Sequence, residues 1–516
     1  MTFDLLHEIL FWPLELSANE NLGLYFLNRW ADKVIQDNKT AWRDLDPFDR
    51  GTTDSAELRY AEFVYFHPFV RRFLYPDSGM ETARLRILKR DDIHRVRVKL
   101  SGVTDEETLE VDRVHLYLFH TQIAILVVEV KAARKVERRA ALQFLDQFRR
   151  VYAPYWFNGK GGHCPEKVEW LDQHGLPIGT PSNFESFNEH RQNVEKKEWR
   201  RPPVAAHWRW LIEGLEPSNP MSKDGTLYFD QIEDDRMMVM SFLGHPEPHS
   251  LSDQDMTRLC FLDEASDSPQ DWPYSPQFLA DFQKHCYDRY WDKKHNENSW
   301  MTTRYLCCGY AFTVLGCSKA QFVTDEWSGL LSHFRHHYFQ LGLLAHFHRA
   351  SLLRFSRRFA DSVGQRESTL NHEFADFVAG YWFNEVSNQV QGQELFQFWS
   401  NHLGNQRLLH HVLEEKRLAV ELEEALQIQG DGRQVKLLTK RLTSLTYLLL
   451  PLTASAALVA YLDMDFTREH LQSWKEGSFW LVLPLVLILL ILVCYLFTWR
   501  RRESVSNEEV ENARKG

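Results

Sequence analysis

The sequence predicts an α+β membrane protein with a cytosolic α/β domain, long stalk helices and two C-terminal transmembrane helices. Three observations predict this fold class. Strand patterns dominate residues 81–275, helical patterns dominate residues 276–441, and two runs of 21 residues without a charge occupy 442–462 and 479–499. About 20 apolar residues in a helix cross about 30 Å of hydrocarbon, so each run is long enough to span a bilayer.

Length and composition indicate a folded protein of several domains without a nucleic-acid partner. The chain has 516 residues, and domains of about 150 residues would give roughly three folding units. Lys and Arg number 60 against 71 Asp and Glu, a net charge of −11, whereas nucleic-acid-binding domains are typically basic. The hydrophobic share of 44% excludes a mainly disordered chain.

Residues 1–80 form an aromatic-rich segment that we expect to contain helices and loops. The start, MTFDLLHEILFW, lacks the basic region and the cleavage site of a signal peptide, so the chain before the spans is expected in the cytosol. The seven cysteines follow no metal-ligand spacing. We expect them to be free thiols in a reducing compartment.

Residues 81–275 are expected to form the α/β domain. The predicted strands are 85–89, 96–100, 114–119, 123–130, 226–230 and 237–243. A helix is predicted over 137–152, and the polar stretch 158–203, rich in Gly, Pro and Asn, is predicted to be a surface insertion.

Residues 276–441 are predicted to form long helices and a stalk. Aromatic and aliphatic residues recur at helical spacing within 326–363, and a second helix is predicted over 370–428. Gly430-Asp431-Gly432 should break it, because each glycine costs about 1 kcal/mol in a helix interior.

No enzyme motif stands out, so we expect no enzymatic activity. The segment Asn158-Gly159-Lys160-Gly161-Gly162 lacks the spacing of a phosphate-binding loop. The acidic run 230–235 has the oxygen ligands of a hard cation but is better explained as a solvated loop. A weak metal hypothesis concerns five histidines without an acid one turn away: His333, His336, His337, His346 and His348.

Charges beside the two uncharged runs predict their orientation. Three basic residues lie within 436–441 and three at 500–502, whereas the connection 463–478 carries two. By the positive-inside rule both termini are cytoplasmic, in a multi-pass protein of the inner (plasma) membrane. Residues 463–478 would then form the outer loop and 500–516 a cytosolic tail.

One face of the first run carries small and hydroxyl side chains, which suit a pore or close helix packing. The predicted pore-lining residues are Thr446, Thr453, Ala457, Ala460 and Met464. The predicted outer cation site consists of Asp463, Asp465 and Glu469, with Asp463 and Asp465 as metal ligands. Two spans cannot enclose a polar path alone, so a symmetric homo-oligomer is expected.

The C-terminal part of the sequence resembles the CorA metal-ion transporter family. The resemblance lies in Leu450-Pro451-Leu452-Thr453 and in Tyr461, Met464 and Phe466 after it. A short acidic connection and a second apolar run with basic residues after it complete the similarity. The resemblance implies a pentamer in a lipid bilayer that passes divalent cations, with magnesium as the transported ion and no cofactor. The chain departs from that family where Asp463-Met464-Asp465 stands for Gly-Met-Asn, about three residues further from Pro451. By spacing, residues 460–462 would take that place instead.

Two other functions fit the same sequence. One is a ligand-gated membrane effector, whose cytosolic domain senses a small signalling molecule and opens a pore; the polar stretch 158–203 favours it. The other is a nonconducting membrane scaffold, which needs only helix packing at Thr446 and Thr453.

Overall fold

The computed structural model describes most of the chain up to residue 430. The described residues are 2–18, 31–32, 34–35, 41–46, 56–76, 84–151, 164–182, 204–217, 227–233, 236–263, 274–295, 300–361 and 368–430. Met1–Ala419 forms one compact unit. Of the second unit, Val420–Gly516, only the backbone of 420–430 is described, and it is helical.

Strands and helices alternate through the first unit. The strands are β1 Thr2–Phe3, β2 Leu5–Ala18, β3 Arg43–Asp44, β4 Leu85–Lys89, β5 Arg95–Lys99, β6 Glu106–Phe119, β7 Ile123–Ala132, β8 Val136–Glu137, β9 Lys167–Leu171, β10 Pro177–Ser182, β11 Glu216–Pro217, β12 Leu227–Gln231, β13 Met238–His245, β14 Cys286–Tyr287, β15 Arg304–Cys307 and β16 Ala311–Cys317. The helices are α1 Ala56–Tyr65, α2 Pro68–Leu74, α3 Arg138–Gln147, α4 Ala206–Leu211, α5 Asp253–Phe261, α6 Pro276–Ala280, α7 Gln321–Thr324, α8 Leu330–His333, α9 Phe339–Asp361, α10 Ser368–Gly380, α11 Val390–Leu403 and α12 Asn405–Gly430. Short 3-10 helices lie at Pro248–Ser250 and Phe282–His285, and a π-helical turn at Phe334–Tyr338 joins α8 to α9.

A mixed sheet of 14 strands forms the centre of the described structure. Its main path runs β10-β9-β5-β6-β7-β2-β13-β16-β15-β14, with β4 paired to β6 and β12 paired to β2. Most pairs are antiparallel, whereas β13 and β16 are parallel. Strands β2, β7 and β13 are long apolar runs, which is typical of strands buried on both faces.

Helices cover the two faces of this sheet. On the first face, called the α5 face, α3, α4 and α5 pack on residues such as Leu10, Val128 and Leu315. On the second, called the α9 face, α8 to α11 and the π-helical turn pack on residues such as Ile9 and Val127. The sheet is therefore buried in the middle of a three-layer arrangement.

Several predicted elements are confirmed, and others are wrong. The predicted strands at 85–89 and 123–130 are present, and the predicted helix over 137–152 is the shorter α3. The N-terminal segment holds the long strand β2 rather than only helices and loops. The predicted polar insertion contains β9 and β10, and the predicted helical region from 276 contains β14 to β16.

The predicted fold class of an α+β membrane protein is wrong for the described chain, which is a mixed α/β fold. No helix among the described residues is long and apolar enough to cross a bilayer. The same finding contradicts the predicted membrane, transporter and channel properties and the predicted inner-membrane location. The runs 442–462 and 479–499, from which these predictions came, lie outside the described residues.

Candidate ligand site

Strand β2 carries two polar residues in the middle of the buried sheet. His7 is 4% exposed and Glu8 is fully buried, between apolar residues on both sides. Successive residues of a strand point to opposite faces. His7 therefore lies on the α9 face, where it pairs in register with Lys131 and contacts the Phe242 ring, and Glu8 lies on the α5 face, opposite Val130 and Ser241.

On the α9 face, charged residues of β6 and β7 meet Arg335 of the π-helical turn. Arg335 donates from Nε to Glu129 Oε1 at 2.6 Å and from Nη2 to Asp112 Oδ2 at 2.7 Å. Arg113 Nη2 lies 2.9 Å from Glu129 Oε2, and Lys131 Nζ lies 3.2 Å from Asp112 Oδ1. These five residues are called the Arg335 cluster, and each carboxylate in it is paired with two cations.

Two backbone irregularities bring the Arg335 cluster together. The β6–β7 register shifts between Val111 and Arg113, so the bulge lets both Asp112 and Arg113 contact Arg335. Bulges commonly redirect side chains in this way. Above them, the π-helical turn inserts an extra residue into the helix, and such turns are often found at functional sites.

The charges of the Arg335 cluster shift its pKa values in ways that follow from burial and pairing. Burial alone would raise the pKa of Glu129, but Arg335 and Arg113 lower it to about 2. Burial, and then the Glu129 charge, raises the pKa of Asp112. Burial, and then Arg335, lowers the pKa of His7 to about 3, so its ring is neutral at pH 7.

His7, Asp112 and Glu129 place ligand atoms within 4.8 Å of one another, as a metal site requires. Both carboxylates already accept hydrogen bonds from Arg335. A cation of charge +2 would have to displace that guanidinium. With Arg335 in place, the residues form a closed ion-pair network rather than a metal site.

On the α5 face, Glu8 is affected electrostatically by Arg149, which follows α3. Arg149 is 1% exposed and donates from Nη2 to Asp146 Oδ1 at 3.1 Å. Its Cζ lies 4.8 Å from the centre of the Tyr310 ring, and Arg236 Cζ lies 5.4 Å from the same ring. Glu8, Arg149, Asp146, Tyr310 and Arg236 are called the Arg149 site.

Four polar atoms of the Arg149 site have no hydrogen-bond partner in the described part of the chain. They are Oε1 and Oε2 of Glu8 and Nε and Nη1 of Arg149. Such groups call for a water, an ion or a ligand as partner.

Burial raises the pKa of Glu8 well above its ordinary value, although Arg149 opposes this shift. Burial therefore disfavours the charged form of Glu8. Burial also lowers the pKa of Arg149, but the guanidinium stays charged because its ordinary pKa is far above 7. The site thus combines a positive charge with a carboxyl group whose ionisation is disfavoured by burial.

Hydroxyl groups continue the polar line from Glu8 across the sheet. Ser241 stands opposite Glu8, and its Oγ lies 2.9 Å from Thr313 Oγ1 on the next strand. Thr313 donates to the Leu259 carbonyl of α5 at 3.3 Å. The hydroxyls are therefore bonded to each other and to α5, whereas the Glu8 carboxyl is not.

The predicted pore and outer cation residues lie outside the described residues. These residues are Thr446, Thr453, Ala457, Ala460, Met464, Asp463, Asp465 and Glu469. The predicted site based on them therefore stays a prediction. The turn at 158–162 also lies outside the described residues.

Of the five histidines of the weak metal hypothesis, His333 and His337 stack with ring centres 4.9 Å apart, but no three of the five form a metal-ligand group within the described structure. His333 Nδ1 lies 2.7 Å from the Gly329 carbonyl, His336 Nδ1 lies 3.3 Å from Glu62, and His337 packs on the Tyr65 ring. Burial lowers the pKa of His346 to about 3 and that of His348 to about 4. In the acidic run, Asp230 pairs with Arg357, and Glu233 pairs with Arg349.

Sequence reasoning missed both clusters, although a signal was present. Glu129 is the one carboxylate of the apolar strand β7, and Glu8 lies seven residues from Glu15, the other carboxylate of β2. Fully buried acids are rare unless they are paired, so a lone acid in a buried strand predicts a specific partner or ligand. The partner Arg335 is 206 residues from Glu129, and no local pattern connects them.

Comparisons with known proteins give no relative for this chain. No protein family, no curated protein and no solved structure matches it.

Proposed function

We propose that the folded unit is a sensor domain that binds a small molecule with an acidic group at the Arg149 site. The observation that carries the proposal is the Arg149 guanidinium, fully buried and charged, with two nitrogens that lack a partner in the described chain. Guanidinium groups recognise carboxylates and phosphates with strong, charge-assisted hydrogen bonds.

The charge around Arg149 favours an anionic group. Burial and the charges of Arg236 and Arg150 lower the pKa of Arg149, and Asp146 raises it. Burial disfavours a negative charge on Glu8. An incoming acidic group would meet the positive charge of Arg149 in a region shielded from solvent.

Strand β2 offers a path from ligand binding to a response. Glu8 belongs to the Arg149 site, and the preceding residue, His7, lies beside the Arg335 cluster under the π-helical turn. A ligand that shifts β2 would change the fit of Arg335 on Glu129 and Asp112. Sensing of a small molecule, as in the ligand-gated alternative, is thus part of this proposal.

Inorganic phosphate is the simplest probe of the site. Calorimetry should detect saturable binding to the full chain, and the Arg149→Gln variant should lose it. Arg417→Gln is the matched control, because Arg417 is 62% exposed and lies outside the Arg149 site. Hydrogen exchange should slow in residues 330–345 when phosphate binds. Binding that survives in Arg149→Gln would contradict the proposal.

Passage of divalent cations, assembly as a pentamer and the absence of enzymatic activity stay predictions. The residues that suggest cation passage and assembly lie outside the described part of the chain.

A further inference from the structure

We infer that the Arg335 guanidinium occupies a divalent-metal site and competes with a metal ion for it. The ligands of this site are His7, Asp112 and Glu129. Their chemistry suits a transition metal such as Zn²⁺ or Co²⁺. The site is independent of the proposed function, because it lies on the α9 face, whereas the Arg149 site lies on the α5 face.

The set of donor atoms is the first argument. One ring nitrogen of His7 and one carboxylate oxygen from each of Asp112 and Glu129 lie within 4.8 Å of one another. Zinc and related metals accept a ring nitrogen together with carboxylate oxygens as ligands in proteins. The His7 ring is 4% exposed, and its Nδ1 has no hydrogen-bond partner in the described part of the chain. An unused imidazole nitrogen is therefore buried beside two carboxylates.

The position of Arg335 is the second argument. Its guanidinium bridges the two carboxylates, because Nε lies 2.6 Å from Glu129 Oε1 and Nη2 lies 2.7 Å from Asp112 Oδ2. A metal ion would bridge the same two oxygens. Ligand atoms about 2.0–2.2 Å from one ion lie about 3–4 Å apart, so the ligands have to approach by no more than about 1–2 Å when the guanidinium leaves.

The other oxygen of each carboxylate is held by a second cation, which can stay in place. Arg113 Nη2 lies 2.9 Å from Glu129 Oε2, and Lys131 Nζ lies 3.2 Å from Asp112 Oδ1. Outer partners of this kind commonly orient metal ligands. Exchange of Arg335 for a divalent ion adds one positive charge beside these cations, so the ion binds less tightly than at two unpaired carboxylates.

An ion can reach the site without opening the sheet. Glu129 is fully buried, but the side chains of Asp112 and Lys131 are partly exposed. The backbone of Arg335 is tied to β6, because its carbonyl accepts a hydrogen bond from Arg113 Nη2 at 2.9 Å. Exchange of the two cations therefore requires movement of the Arg335 side chain rather than of the strands.

Titration of the full chain with Co²⁺, followed by the visible absorption of the bound ion, tests the inference. We expect wild-type protein to bind one ion at this site. Arg335→Met should bind it about tenfold or more tightly, because the competing guanidinium is gone. His7→Gln should lose this ion in both backgrounds, since one of three ligands is removed. The controls Arg417→Met and His410→Gln change exposed residues and should leave the affinity unchanged.

Unfolding by urea is a second measurement of the same binding. Zn²⁺ should stabilise Arg335→Met, and it should stabilise the combination of Arg335→Met with His7→Gln much less, because the ion binds only the folded site. If Arg335→Met does not fold, wild type and His7→Gln alone decide the question. Absence of Co²⁺ binding to the wild type would overturn the inference. Equal Co²⁺ binding by wild type and His7→Gln, or by wild type and Arg335→Met, would overturn it as well.

Discussion

His7 and Glu8 are neighbours in strand β2, and they lie in two charged clusters on opposite faces of one sheet. On the side of His7, both carboxylates are held by pairs of cations. On the side of Glu8, four charged or acidic atoms lack partners in the described structure. Each cluster keeps buried polar atoms without a hydrogen-bond partner in the described structure, such as Nδ1 of His7 and Nε of Arg113 on the first side. The difference is that both carboxylates of the first cluster are in ion pairs, whereas Glu8 is in none among the described residues.

The Arg335 cluster should be needed for stability. In Arg335→Met, Glu129 and Asp112 lose their shared partner inside the fold, so we expect a loss of about 3–5 kcal/mol in the free energy of unfolding by urea. The control Arg417→Met removes an exposed pair with Glu414 and should change stability by less than about 1 kcal/mol. Equal losses in the two variants would show that the buried pairs contribute no more than a surface pair.

Buried histidines should make the fold sensitive to acid. Burial lowers the pKa of His346 from 6.5 to about 3. Below pH 6.5 the unfolded chain therefore binds a proton at this residue that the folded chain does not bind. Stability should therefore fall as pH drops below 6.5, by about 1.4 kcal/mol per pH unit for each such histidine.

His346→Phe isolates one of these protons. The ring lies 5.0 Å from the Phe11 ring and 5.8 Å from the Trp399 ring, which a phenyl group can also contact. Between pH 6 and pH 4.5 the dependence of the unfolding free energy on pH should become weaker by about 1.4 kcal/mol per pH unit, which is the contribution of one proton. The exposed His410, changed to Gln, is the control. An unchanged slope in His346→Phe would contradict the burial of a neutral ring.

Close packing of α9 on α11 should depend on Gly342. A Cβ at this position would lie 2.4 Å from Trp399, whereas a Cβ at Gly380 would meet nothing within 4 Å. Gly342→Ala should lower the unfolding free energy by about 1–3 kcal/mol, because the tryptophan has to move. Gly380→Ala should leave it unchanged or raise it. If thermal unfolding shows the same effect for both, Trp399 does not pack on Gly342.

The parts of the fold that sequence reasoning found have clear local patterns. Strands 85–89 and 123–130 are short β-branched and apolar runs. Strand β2 was missed because it is buried on both faces, so polar and apolar residues do not alternate along it. The spacing of its aromatic residues and Pro13 matches neither the period of a helix nor that of a strand.

The long helix predicted over 370–428 is divided into α10, α11 and α12 for physical reasons. Between α10 and α11, Trp382 donates to Asn384, and the Ser387 hydroxyl accepts from the Gln389 N–H; such local bonds compete with helix formation. Gly404 separates α11 from α12 with a φ of +72°, a left-handed conformation that favours glycine.

The candidate site had no comparable local signal. Arg149 acts on Glu8 across 141 positions of sequence, and the pairing of β2 in the sheet and the packing of α3 against it place both on the same face. Sequence spacing therefore shows single buried charges but not their partners.

The central claim is that Glu129 is ionised and paired, whereas Glu8 is not. It is tested most directly by comparing the unfolding free energies of Glu8→Gln and Glu129→Gln at pH 7. The pKa of Glu129 is about 2, so its charged form stabilises the fold above its ordinary value of 4.5, and that stability is lost as pH falls toward 2. The pKa of Glu8 is raised, so folding retains a proton that the unfolded chain releases above 4.5, and stability falls as pH rises. We expect Glu129→Gln to lose about 3–5 kcal/mol, and Glu8→Gln to be at least as stable as the wild type. A similar loss in both variants would mean that Glu8 is an ionised and paired residue, and that the Arg149 site is not open to a ligand.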